Sequence, residues 1–361
     1  IVGANTGFVG LVYASPDKLV ANCKLGIVRA IDILPGYLYC FLIGKYGQHQ
    51  MQRLKRGGGQ TGLILPDVRD ICISRLDTGF EELINSIIML AHEYVQKSTI
   101  IDINCKEEIM DFIGLSHWRP EHQLAYIKNL SDTQFAERID AEYFQPKYEE
   151  IENKIKSYKN GWTSIGKEFD QNKTKVKIKD NIVYSYLEIG GVDISSGDIE
   201  CSTSFGYELP SNAKVHLDKN DLVISKVRPY RGAIAIIDKD GLIGSGAFTA
   251  LHEKGRINKE TVFTFLRTRP LLDYSLKFNT GTSYPTINDE DILNFPIPLF
   301  EVPIQQRIGE KVNESINLRK LALALLNISK IGVEMAIQEN EKKAISWMIY
   351  EANKLGVKLD A

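Results

Sequence analysis

Cysteine is scarce in this 361-residue chain: Cys23, Cys40, Cys72, Cys105 and Cys201 are scattered, odd in number and never in a CxxC pair. That spacing argues against a disulfide framework or a zinc site, and for reduced cytoplasmic thiols. No apolar run approaches the length that crosses a bilayer. The opening residues, Ile1-Val2-Gly3-Ala4-Asn5, have neither the basic nor the hydrophobic region of a signal peptide. No Gly-Lys-Ser/Thr follows a glycine loop, no Gly-x-Ser-x-Gly elbow occurs, and there is no Asn/Asp-Pro-Pro-Tyr/Phe methyltransferase motif. His117 and His122 have no cysteine near them and no second histidine at ligand spacing, so they read as structural. These gaps favour a binding subunit over a catalyst, with no cofactor or metal of its own and no membrane partner. A net charge of −2 does not announce nucleic acid, yet it leaves room for a local basic patch.

What is present is a long amphipathic pattern. From Pro303 to about Tyr350, apolar residues recur three or four apart, among them Ile304, Ile308, Val312, Ile316, Leu321, Leu325 and Ile328. Gly309 and Gly332 are expected to weaken the helix locally. A helix of that length needs a partner to cover its stripe, and the chain supplies one 224 positions earlier. Phe80, Leu83, Ile84, Ile87, Ile88 and Ala91 form the same kind of face, and Phe80-Glu81-Glu82-Leu83-Ile84 stands where Ile304-Gln305-Gln306-Arg307-Ile308 stands later. The register holds upstream: Tyr37–Leu42 against Thr261–Leu266, Gly57 against Gly281, Asp67-Val68 against Asp291-Ile292. We read this as an internal duplication. Each unit is expected to contain short β-rich segments, a glycine loop, strands and a long helix. The missing initiator Met, and the lack of a first-unit counterpart to residues 145–230, lead to the expectation that the chain is a piece of a longer protein.

The expected boundaries are a truncated first β-rich domain over 1–79, a helical spacer over 80–134, a complete second β-rich domain over 135–300 and a long helix over 301–361. In the spacer, Asn104 is a candidate cap for a second helix. Pro146 is expected to open a short charged helix through Lys159, and the alternation of Lys173–Lys179 reads as a half-buried strand. Two segments lack acids and carry cations. Between Asp32 and Asp67 stand Lys45, Arg53, Lys55 and Arg56, followed by a glycine loop in which Gln60 and Thr61 offer hydrogen bonds to base edges. Between Asp221 and Asp238 stand Lys226, Arg228 and Arg231, with Tyr230 as a phosphate partner. The hydroxyl-rich loop with Thr282, Ser283 and Tyr284 matches the Gly57–Gly62 loop. These residues are the candidate DNA contacts, with ordinary solvated turns as the alternative. Ile84, Ile88, Ile308, Val312, Leu321 and Leu325 are the candidate helix-pairing residues.

Several stretches together resemble the specificity (S) subunits of type I restriction-modification enzymes. They are Arg138-Ile139-Asp140-Ala141-Glu142-Tyr143-Phe144, Asp221–Lys226, Ala247-Phe248-Thr249, Gly281–Ile287, Phe295–Leu299 and the Gln305-Gln306-Arg307-Ile308 helix start. The resemblance implies an α+β protein with two β-rich target-recognition domains in tandem. Each would be followed by a long helix, and the two helices would pair as an antiparallel coiled coil. It implies a non-catalytic subunit that reads a bipartite site on double-stranded DNA and directs methyltransferase subunits, and with them restriction subunits. S-adenosylmethionine would be bound by the methyltransferase partner and not by this chain, in the cytoplasm of a bacterium or archaeon. The first unit departs from the pattern: it is truncated, Cys72-Ile73-Ser74-Arg75 replaces the Pro-Ile-Pro-Leu ending and Glu81-Glu82 replaces Gln-Gln. Two other readings are the recognition part of a fused type II restriction-methyltransferase, and a helical scaffold that does not bind DNA.

Overall fold

A computed structural model describes residues 7–13, 20–22, 25–58, 61–281 and 284–359. In chain order the elements are α1 (Pro35–Ile43), α2 (Lys45–Leu54), α3 (Leu65–Arg69), α4 (Thr78–Ile113), α5 (Leu130–Ala136), α6 (Pro146–Lys156), β1 (Trp162–Ser164), α7 (Ile165–Glu168), β2 (Phe169–Gln171), β3 (Val183–Leu187), β4 (Ser202–Phe205), β5 (Ala213–Leu217), β6 (Leu222–Ser225), β7 (Ile234–Ile236), β8 (Leu242–Ser245), β9 (Phe248–Glu253), α8 (Lys259–Leu266), α9 (Arg269–Tyr274), α10 (Asp289–Leu293), β10 (Pro296–Pro298), α11 (Val302–Gln338) and α12 (Glu341–Lys354). They divide into a unit of residues 1–98 and 317–361 and a unit of residues 99–316.

The duplication is visible in the positions of the elements. α1 and α8 begin at 35 and 259, α2 and α9 at 45 and 269, α3 and α10 at 65 and 289, and α4 and α11 at 78 and 302, always 224 apart. The details repeat too. Asp67 accepts from the Ile64 amide (3.2 Å) at the start of α3, as Asp291 accepts from the Asn288 amide (3.0 Å) at the start of α10. Each carboxylate satisfies an amide that the helix itself leaves unpaired. At the glycine loops, Arg56 and Gly62 exchange two backbone hydrogen bonds, as do Thr280 and Thr286. Gly57 (φ 98°) and Gly281 (φ 85°) each follow the first residue of the pair in left-handed conformation.

The content of the first unit corrects the sequence reading. Among its described residues there are helices and no strand, so residues 1–79 do not present the expected β-rich domain. Tyr37–Leu42 and Thr261–Leu266 are helical in both units. Short apolar runs carry no period that separates helix from strand, and here Pro35 at the first turn of α1 and Asn258 capping α8 mark helix starts. α4 runs without a break through Asn104, which caps nothing. α11 is likewise unbroken at Gly309 and Gly332 but stops at Gln338, and Asn340 caps α12 through the Lys343 amide (3.0 Å). Gly332 serves packing: a Cβ there would lie 2.2 Å from the Met348 sulfur. The 37 residues of α11 give it about 55 Å of length. By length and composition α11 is apolar enough to cross a membrane, contrary to the expectation from runs. Its apolar face is accounted for by two cores.

In the first unit that core joins Tyr37, Phe41, Phe80, Ile84 and Ile88 with Leu325, Ile328 and Val333 of α11 and with Ala344, Met348 and Ala352 of α12; Leu321 is half-buried beside them. The Ser98 hydroxyl accepts from Arg319 (2.7 Å). In the second unit, Cys105, Ile109 and Ile113 of α4 share a core with Ile304, Ile308 and Val312 of α11. Glu108 binds Arg307 and Lys311, and Ser315 donates to buried Asp102 (2.7 Å). The partner numbers fall on α4 as they rise on α11, so the two segments run antiparallel there.

The second unit also holds three sheets, ordered β1-β10, β2-β9-β6-β7 and β4-β3-β8-β5; all pairings are antiparallel except β3 with β8. The sheet centred on β9 and β6 is buried on both faces. Leu222, Ile224, Ile234 and Leu251 face the helix core, while Val223, Ala235 and Ala250 face Leu187 and Leu217 of the other four-stranded sheet. Burial on two faces explains why Leu222-Val223-Ile224 is uninterrupted apolar sequence and not an alternating strand. Lys173–Lys179 is extended but joins the sheet only through one bridge, Lys175 to Val215.

Candidate nucleic-acid interface

The buried strand β6 delivers its last residue, Ser225, to the rim, where the chain turns through Lys226–Gly232. The Ser225 hydroxyl donates to Val227 O (2.8 Å) and accepts from Val227 N (3.2 Å), which closes the turn locally. Pro229 is buried and anchors it; Tyr230 is half-buried and Arg231 exposed. Arg228 holds φ 47° and ψ 54°, a left-handed backbone that few non-glycine residues adopt. Such a conformation persists only where its surroundings enforce it. Here the Arg228 amide donates to Pro285 O (2.8 Å), and Ile287 N donates to Lys226 O (2.9 Å). The turn is thereby stitched to the 279–286 loop, with Val227 bridging Thr286. The Arg228 guanidinium lies 5.3 Å from the centre of the Tyr284 ring, which is 60% exposed. One basic and one hydroxyl-rich loop, far apart in sequence, thus form a single rim. Thr282 and Ser283 lie outside the described residues.

Lys226 behaves differently from its expectation as a free cation. Its ammonium group pairs with Asp289 (3.2 Å), which also accepts from the Thr249 hydroxyl (2.6 Å). Burial pushes the Asp289 carboxyl upward, but Thr249, Lys226 and Gln171 outweigh it and hold the group below the ordinary carboxylate range. Lys226 therefore ties β6 to α10 as part of the support of the rim.

Arg138, which sequence reasoning left without a role, grips the base of the same loop. Nε and Nη2 bond the two oxygens of Asp140 (2.8 Å each), and Nη2 also reaches Asn279 O (3.1 Å). The guanidinium lies 4.7 Å from the Tyr143 ring. The Arg138-x-Asp140 spacing in an otherwise irregular stretch was the available signal. Beneath it, Glu152 accepts from the Tyr274 hydroxyl (2.5 Å) and from Lys277 and Lys156. Burial raises the Glu152 carboxyl, but the two lysines and the tyrosine dominate and hold it at about 2.

In the first unit, Arg56 is committed to Asp67 through Nε (2.8 and 3.0 Å), so that cation braces its own loop against α3. Lys45 is half-buried, its ammonium group 5.1 Å from the Tyr46 ring centre, and its amide donates to Glu334 (2.8 Å). Arg53 is exposed on α2, while Lys55 and Thr61 are half-buried. Gln60 lies outside the described residues. No cluster of three or more metal-ligating side chains occurs among the described residues.

Residues 164–325 match the family described as the type I restriction modification DNA specificity domain. A curated relative, the type I restriction enzyme EcoDI specificity subunit of Escherichia coli, is 24% identical over 104 residues, which are 29% of this chain and 23% of that protein. The chain thus aligns with about a quarter of the length of that relative. Among solved structures, the HsdS subunit from Thermoanaerobacter tengcongensis is 23% identical with a TM-score of 0.35, covering 48% of each chain. The type I restriction-modification system S subunit from M. genitalium is 13% identical with a TM-score of 0.39, covering 83% of this chain and 71% of that one. Residues 164–325 of this chain are thus similar to the DNA specificity domain of type I restriction-modification systems.

Proposed function

We propose that this chain is the subunit that reads a bipartite site on double-stranded DNA and directs methyltransferase subunits, and with them restriction subunits, to it. The observation that carries this reading is the rim made by Arg228–Arg231 and Tyr284 within the matched domain. It offers the exposed Arg231 to phosphates and the exposed Tyr284 hydroxyl to base edges. Arg53 and the Gly57–Gly62 loop are the corresponding contacts of the first unit. α4 and α11 act as an antiparallel coiled-coil spacer, as the Glu108–Arg307, Asp102–Ser315 and Ser98–Arg319 pairings suggest. Their outer surface docks the methyltransferase, which supplies S-adenosylmethionine. Two readers joined by one spacer bind with an effective concentration that neither has alone. The place of action is the bacterial or archaeal cytoplasm.

The test is co-expression with the neighbouring methyltransferase, followed by mapping of methylated adenines. A split motif that disappears on deletion of this chain, and changes with Arg228→Ala/Tyr284→Ala, is the expected result. Methylation that persists unchanged in the deletion strain overturns the assignment.

A further inference from the structure

The segment Lys173-Thr174-Lys175-Val176-Lys177-Ile178-Lys179 covers the edge strand β5. Val176 N donates to Lys214 O and His216 N donates to Thr174 O, both at 3.0 Å. Val176 and Ile178 pack toward Tyr186, Ala213 and Ile243. An extended chain alternates its side chains, so the four lysines point the other way, and all four are exposed, as is Lys214 on β5. None of these five ammonium groups has a carboxylate within ion-pair distance among the described residues. Some other lysines of the unit are paired, among them Lys226 with Asp289, Lys254 with Asp170 and Lys259 with Glu260. The neighbouring acids are otherwise engaged or lie at the ends. Asp218 meets His216 (3.0 Å), and Glu208 accepts from the Phe205 amide (3.1 Å). Asp180 stands just beyond Lys179. At that end Phe205 and Tyr207 stack in the open, centroids 5.7 Å apart. At the other end, Gln171 bonds Asp289, the partner of Lys226, so the row begins beside the support of the rim.

An unneutralised row of like charges repels itself and persists where a polyanion compensates it. Alternate residues of an extended chain lie about 6.6 Å apart, about twice the axial rise of about 3.4 Å per phosphate of one DNA strand. We propose that Lys173, Lys175, Lys177 and Lys179, with Lys214, form a rail for the phosphate backbone of double-stranded DNA. The rail extends the rim and sets the register of the duplex without reading bases. It rests on the DNA-binding reading given above.

The test compares the full-length protein with a Lys173→Gln/Lys175→Gln/Lys177→Gln/Lys179→Gln variant. Affinity is measured for a duplex carrying the mapped site and for a scrambled duplex, between about 50 and 200 mM salt. The expected result is a log–log salt slope smaller by about 3–4, at about 0.9 per lost phosphate contact. At low salt, affinity should fall at least about tenfold on both duplexes, leaving their ratio unchanged, and the four-arginine variant should bind as the parent does. Duplex-dependent protection of the four lysines from acetylation in the unmodified protein gives a readout independent of any variant. An unchanged slope, absent protection, or a loss confined to the cognate duplex overturns the rail. If the parent protein binds neither duplex, the DNA-binding reading itself falls, and the rail with it.

Discussion

Replacing Glu152 by Gln tests whether the loop base is held by charge. Glu152 keeps 19% of its side chain exposed, and Lys277, its nearest cation, only 12%. Its carboxyl is lowered from 4.5 to about 2. At about 1.36 kcal/mol per unit this corresponds to about 3 kcal/mol at full strength, and to about 2 kcal/mol once solvent screening is allowed for. Because the folded value lies below the unfolded one, the stabilisation is fully present above pH 4.5 and is lost as pH falls through about 2. Glu152→Gln should therefore cost about 2–3 kcal/mol at pH 7, including the unpaired Lys277, a drop in melting temperature of roughly 4–12 °C for a domain of this size. The difference between parent and variant should shrink steadily as pH falls from about 4.5 toward 2. The assay is thermal unfolding of both proteins across that range. An equal destabilisation at pH 7 and at pH 2.5 would refute the charge argument and leave only lost shape and hydrogen bonding. A second readout is the mapped methylation motif, which should become less sharply defined in the variant, because Lys277 leads directly into the Asn279–Thr286 loop.

Four further outcomes follow from other contacts. Arg228→Gly relieves the left-handed backbone but removes the guanidinium over Tyr284; folding should be retained while duplex affinity drops, measured by anisotropy. Arg138→Lys keeps the charge but loses the forked contact to Asp140 and the Asn279 carbonyl, and should blur base preference more than it lowers non-specific affinity. Ile308→Ala, in the core shared by α4 and α11, should cost about 2–5 kcal/mol in urea unfolding. Ser329 is buried with its hydroxyl unpaired, so Ser329→Ala should be neutral or stabilising by up to about 1 kcal/mol, whereas a clear loss would reveal a missing partner.

The amino-acid sequence by itself determined the 224-residue repeat and the apolar stripes of the long helices. Ile84, Ile88, Ile308, Val312 and Leu325 are all buried where their 3.6-residue spacing put them, and Leu321 is half-buried. Periodicity and helix starts are local properties, written within a few turns of chain. Tyr37–Leu42 and Thr261–Leu266 show the limit of such reading, because a short, mostly apolar run fits a buried strand and a buried helix equally well. Pairing of charges was not legible at all. Nothing local distinguishes Lys226, held by Asp289 sixty-three positions away, from Arg231, which is exposed. Nor does the sequence alone show that Arg228 and Tyr284 meet, or that Arg138 grips a carbonyl 141 positions downstream. Which cations brace the fold and which face a ligand depends on what long-range packing brings within about 4 Å, and only the tertiary structure decided that.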